Sequence, residues 1–172
     1  MKILICCPGY SWVKVFSHDT AGGTALFKNL EDARNFNEDD PDADLYSILD
    51  QVENYRKDGV FHIRICYEEL NKPFPCNEWT QSSNFVEETS ITDFEAIEIT
   101  WKTSGTGSGV FGGLGRSPAS SSNNLIDDLP DHGNWFFSIG TITNWGEGIP
   151  GPQPHSVNKV ELYLAASMFL NT

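Results

Sequence analysis

Hydrophobic and polar residues alternate with a period of two in several stretches of this chain, a pattern that predicts strands buried on one face. Between Tyr10 and Ser17, Trp12, Lys14 and Phe16 alternate against Val13 and Val15, and strong β-formers dominate. Phe61, Ile63 and Ile65 alternate with His62 and Arg64, and Ile97, Ile99 and Trp101 with Glu98 and Thr100. Trp135, Phe137 and Ile139 alternate with Phe136 and Ser138, and Val160, Leu162 and Leu164 with Glu161 and Tyr163. The period changes at Leu45. Leu45, Ile48, Leu49, Val52 and Tyr55 recur at helical spacing, with Asp42 or Asp44 to cap the start and Gly59 just beyond the end. A shorter helix is expected from Leu30 to Asn35, capped by Asn29 and carrying its acids in the first turn. The expected fold is therefore mainly β: an antiparallel β-sandwich, jelly-roll-like, with one substantial amphipathic helix.

The organisation expected is a single domain over 1–172, with residues 1–9 as an N-terminal extension. Residues 104–124 carry no periodicity and many Gly and Ser residues, among them Gly105, Gly107, Gly109, Gly112, Gly113 and Gly115. A connection of that length is either functional or mobile. Residues 144–154 are dense in turn formers, and their prolines restrict them.

Charge and cysteine content narrow the setting. The formal net charge is −13, and the 11 basic residues are scattered, which argues against a nucleic-acid surface. No stretch approaches a transmembrane length. Four cysteines, Cys6, Cys7, Cys66 and Cys76, allow three pairings. A Cys66–Cys76 bridge is preferred because it would staple a strand end to the loop beside it, while the other pairings tie the N-terminal segment to the same region. Disulfides imply a secreted, extracellular setting. The opening Met1-Lys-Ile-Leu-Ile-Cys-Cys-Pro resembles the start of a secretion signal, although its apolar run is short and no small-residue cleavage site follows. No Asn-x-Ser/Thr sequon occurs.

Candidate chemistry is thin. Asp40, Asp42 and Asp44 have the alternate spacing of a calcium loop, but Leu45 stands where an EF-hand needs Gly and Gln51 where it needs Glu. An acidic helix start is the simpler reading of that run. Asp127, Asp128 and Asp131, beside His132 and Asn134, form a second oxygen-rich cluster that could take calcium or could be a solvated turn. Adjacent residues of a strand point to opposite faces, so Ser17-His18-Asp19 cannot form a hydrolase relay. The histidines lack metal-ligand spacing. Trp79 and Trp145 are expected in loops, each with polar neighbours. Asn77, Glu78 and Gln81 surround the first, and Asn144 and Glu147 the second. An aromatic plane beside amides and carboxylates suits sugar stacking, a protein interface, or a plug at the end of a sandwich.

Several words of the chain, taken in order, carry a resemblance. They include Trp12-Val-Lys-Val-Phe, Leu45-Tyr-Ser-Ile-Leu-Asp, Phe61-His-Ile-Arg-Ile-Cys-Tyr, Cys76-Asn-Glu-Trp-Thr-Gln-Ser-Ser-Asn, Gly148-Ile-Pro-Gly-Pro and Val160-Glu-Leu-Tyr. From about Trp12 to Leu164 the chain resembles an uncharacterised module of secreted and extracellular-matrix proteins of marine invertebrates such as cnidarians and sponges. The resemblance implies a secreted, disulfide-tolerant protein, associated with skeletal or mineral matrix, and supplies no catalytic residues. The first function expected is a non-catalytic structural or adhesive protein that self-associates or binds a matrix partner. The alternative is a lectin-like glycan-binding module, calcium-assisted, using Trp79, Asn77, Gln81, Trp145, Asn144 and Glu147. A hydrolase built on carboxylates such as Glu78, Glu98 and Glu147 ranks third.

Overall fold

Alternating stretches of the sequence form the centre of one antiparallel sheet in the computed structural model, which describes residues 11–19, 27, 29–69, 72–73, 76–100, 111–116 and 159–166. The strands are β1 (Ser11–Asp19), β2 (Asn35–Phe36), β3 (Leu45–Ile48), β4 (Phe61–Glu69), β5 (Lys72–Pro73), β6 (Asn77–Gln81), β7 (Glu95–Glu98) and β8 (Lys159–Ala166). Their order is β2-β3-β1-β8-β4-β6-β7, with β5 paired to the end of β4. The last described strand thus lies in the middle of the sheet, between β1 and β4.

Register places the apolar positions in rows across the central strands. Leu164 lies between Val13 and Ile63, Leu162 between Phe16 and Ile65, and Val160 between His18 and Tyr67. Each fully buried Phe, Leu or Ile in these rows contributes about 1.5–3 kcal/mol. A register shift between Lys14 and Phe16 makes Val15 the extra residue of β1. That bulge changes the face parity. Trp12 and Lys14 stay outside, whereas Phe16 and His18 turn inward and are fully buried.

Among the described residues, the buried face is covered by short segments, and no second sheet is formed. The helix α1 (Leu30–Arg34) brings in Ala33, a 3-10 helix (Leu49–Tyr55) brings in Leu49 and Val52, and loops contribute Phe27, Phe85, Val86, Phe111 and Leu114. Ring pairs lock these covers down, with centroids 5.4 Å apart for Phe16–Phe27, 5.4 Å for Phe61–Phe85 and 4.9 Å for Trp79–Phe111. The short helix is capped as its sequence requires, with the Asp32 amide donating to Asn29 Oδ1 at 2.9 Å.

The substantial helix expected from Leu45 is replaced by β3 and the following 3-10 helix. Extended backbone lets β3 pair with β1 on one side and β2 on the other, using both ladders. Ser47, opposite Phe16, is buried, and its hydroxyl donates to the Ala33 carbonyl at 2.6 Å. Gly59 is no helix cap. It follows Asp58 in a tight turn, both with positive φ, closed by the Lys57–Val60 bridge. The alternation around Ile97 also resolves differently. β7 is exposed throughout, Ile97 faces solvent, and Ile99 beyond the strand packs partly against the core. The expected strand at Trp135–Ile139 lies outside the described residues, as do Trp101 and the extension 1–9.

Candidate functional site

The outer face of the central strands gathers the polar half of each alternation. Cross-strand pairing lines up Lys14, Tyr163, Arg64 and Glu78 in one row over β1, β8, β4 and β6. Ser17, Glu161 and Cys66 make the next row, and Asp19, Lys159 and Glu68 the one after. Arg64 donates through Nε and Nη2 to Glu78 Oε2 at 3.1 and 2.8 Å, and His62 Nε2 lies 2.8 Å from Glu78 Oε1. Trp12 closes this cluster. The Arg64 guanidinium sits 4.0 Å over its ring, and the His62 ring meets it edge-on at 4.9 Å.

Glu161 anchors a second cluster. Its carboxylate takes Lys14 Nζ at 2.8 Å, Lys159 Nζ at 3.3 Å and the Tyr163 hydroxyl at 2.8 Å. Burial pushes this carboxyl up, but the bonds from Lys14 and Tyr163 and the charges of Lys14 and Lys159 outweigh it, so its pKa lies below the usual range. Burial and the bond to Glu161 drive the Tyr163 phenol far above its ordinary range. Lys159 is pulled down by burial and raised by Glu161 and Asp19, with a net rise. Chemically, the face holds ionised carboxylates locked to cations. Glu161 is no proton donor at neutral pH, and Tyr163 is no base.

The residues singled out from sequence are dispersed. Asn77, Trp79 and Gln81 are not in a loop. They are the inward positions of β6, and all three are buried. The Trp79 ring is fully buried, and its Nε1 donates to Gln81 Oε1 at 2.8 Å, so it offers no face to a sugar. Gln81 instead clamps the middle of the Gly-rich connection. Its Oε1 also accepts from the Leu114 amide at 3.0 Å, and its Nε2 donates to the Leu114 carbonyl at 2.8 Å and to Ser83 O and Oγ at 3.0 and 3.1 Å. Gly113 makes the approach possible: its φ is +99°, and a Cβ there would meet Gln81 Oε1 at 2.8 Å and Ile91 Cγ2 at 2.9 Å.

Asp40 and Asp42 lie in an exposed turn, where the Asp42 amide donates to Asp40 Oδ1 at 3.2 Å and Lys14 Nζ donates to the Pro41 carbonyl at 3.1 Å. Among the described residues no group of three or more acidic, His or Cys side chains is placed to hold a metal ion. Asn144, Trp145, Glu147, Asp127, Asp128 and Asp131 lie outside the described residues. Cys66 and Cys76 do form a disulfide, with Cα atoms 4.3 Å apart. They continue the β4–β6 register one step beyond Ile65 and Asn77, where opposite strands approach closely. Most of the outer-face cluster was within reach of sequence, because Lys14, His62, Arg64, Glu161 and Tyr163 are the outward positions of three strands whose apolar positions predicted the core; Glu78, on β6, was not.

Comparison of the chain with known protein families, with curated proteins and with solved structures gave no match. Among the described residues no helix is long and apolar enough to cross a membrane.

Proposed function

We propose that this chain is a non-catalytic extracellular structural or adhesive module that works by protein contact, either with its own kind or with a matrix partner. One observation carries the reading. The half-buried acids of the outer face are neutralised by cations of the same face, and Glu161 is held ionised where a general acid would need its pKa raised. Such a face stiffens a sheet and leaves little chemistry for a substrate. The Cys66–Cys76 bridge is compatible with an oxidising compartment, and the resemblance to invertebrate matrix modules points the same way. A jelly-roll-like sandwich is the architecture we propose for the whole chain. The glycan-binding reading is weaker, because Trp79 is sealed in the core.

The test is light scattering over a concentration series, with calcium and with chelator, beside adhesion to surfaces coated with extracellular-matrix proteins. Growth into ordered oligomers, or saturable adhesion, is expected. A monomer at every concentration that adheres to no coated surface would overturn the reading.

A further inference from the structure

We propose that the edge of β7, which no described strand covers, receives an extended, basic segment of another protein, which joins the sheet as an added strand beside Glu95–Glu98. This rests on the reading of the chain as a protein-contact module and names the surface and the chemistry of its partner.

Three observations converge on the edge. β7 ends the strand order, and among the described residues only β6 pairs with it, so none of these residues takes up the N–H and C=O groups on its other side. All four of its residues are exposed, and Ile97, at 52%, is the one exposed large hydrophobic side chain among the described residues. Glu95 and Glu98 make no ion pair and no side-chain hydrogen bond among the described residues, whereas Glu53, Glu78, Glu87 and Glu161 are each held by a cation. The register shift between Glu78 and Trp79 leaves Ile97 as the extra residue of β7. A bulge re-aims such a side chain, here away from the core. Strand addition takes affinity from main-chain hydrogen bonds and specificity from alternate side chains, and this edge offers both.

Charge selects the occupant. If two copies paired with the four residues aligned antiparallel, Glu95 would face Glu98 at both ends, and like charges directly opposite are destabilising. Two chains of net charge −13 also repel at long range. A strand that alternates Lys or Arg with β-branched residues converts both carboxylates into attractive pairs and covers Ile97.

The probes are fluorescein-labelled hexapeptides: alternating lysine and valine, the same with glutamate for lysine, and the lysine version with a central proline. Saturable anisotropy with the lysine peptide alone, weakening with added salt, is expected. A Glu95→Lys/Glu98→Lys variant should lose about tenfold or more in affinity while its far-UV circular dichroism is unchanged. Hydrogen exchange should slow at residues 95–98 on binding. Equal binding by the double variant, protection elsewhere than β7, or no saturable binding would overturn the proposal. A concentration-dependent dimer that Ile97→Lys dissolves would also overturn it, by giving the edge to a second copy. Matrix adhesion that survives in the double variant would leave the adhesive reading standing and remove only this edge from it. Peptide binding at β7 without any adhesion would do the reverse.

Discussion

Gln81 ties three parts of the molecule together through a single amide: the Trp79 indole, the Ser83 turn and the Leu114 backbone. Replacing it by methionine keeps the volume and strands a buried indole N–H, an amide and a carbonyl. Each such group costs about 1–3 kcal/mol, so the loss should reach about 3 kcal/mol or more, read from urea denaturation. A Gln81→Met variant within about 0.5 kcal/mol of the parent would show that the clamp is dispensable. Gly113→Ala should cost about 2–3 kcal/mol, because it forces a Cβ into that amide at a positive φ. These residues were hard to read from sequence for one reason. In Asn77-Glu-Trp-Thr-Gln81 the inward positions are Asn, Trp and Gln, so polar residues occupy both faces and the alternation vanishes. Burial of an amide is legible only once its partners are known, and Leu114 is far away in the chain.

At the scale of elements, legibility followed the strength of the period. β1, β4 and β8 were visible because β-branched and aromatic residues alternate with charges over long runs. The Leu45–Tyr55 stripe misled because the spacing of Leu45, Ile48, Leu49, Val52 and Tyr55 also fits a short strand followed by a 3-10 helix. Tertiary pairing on both edges of β3 decided it. The Val15 bulge was equally hidden, since an extra residue flips every later side chain and leaves no mark in composition. The disulfide was legible, and its energetic consequence belongs here. It closes a loop of sequence separation 10, so a Cys66→Ser/Cys76→Ser variant should lose about 2–3 kcal/mol. Urea midpoints with and without the bridge check this, and unchanged midpoints would show that the β4–β6 ladder holds the register alone.

At the scale of the whole molecule, pH tests the titratable groups of the sheet's two faces and of the 3-10 helix. The Glu53 and Glu161 carboxyls lie below their ordinary range in the folded chain, Glu53 chiefly through the Arg56 hydrogen bond. Their contribution is present above about pH 4.3 and is lost as pH falls through the lowered values. Tyr46, Tyr67 and Tyr163 are raised, in each case first by burial, so their contribution is present below about pH 10 and is lost as pH rises beyond it. Lys159, also raised, loses its contribution on the same alkaline limb. Urea unfolding should therefore give a plateau flanked by an acid and an alkaline fall. Absorbance near the phenolate band should show these three tyrosines ionising above the ordinary tyrosine range. Ionisation of all tyrosines near pH 10 with the circular dichroism intact would refute the alkaline limb.

The position of β8 has a consequence for how the protein is made. Residues 159–166 reach the sheet long after those of β1 and β4 have left the ribosome, yet they sit between them. Until then the nascent chain holds two half-sheets, β2-β3-β1 and β4-β6-β7, each with an apolar row and an unpaired central edge. Closure waits for a contact between opposite ends of the described chain, the kind of long-range pairing that folds slowly. A proline at Leu162 would therefore act before any folded molecule exists: cells would degrade or aggregate the open halves, and expression would yield no weakened product to purify.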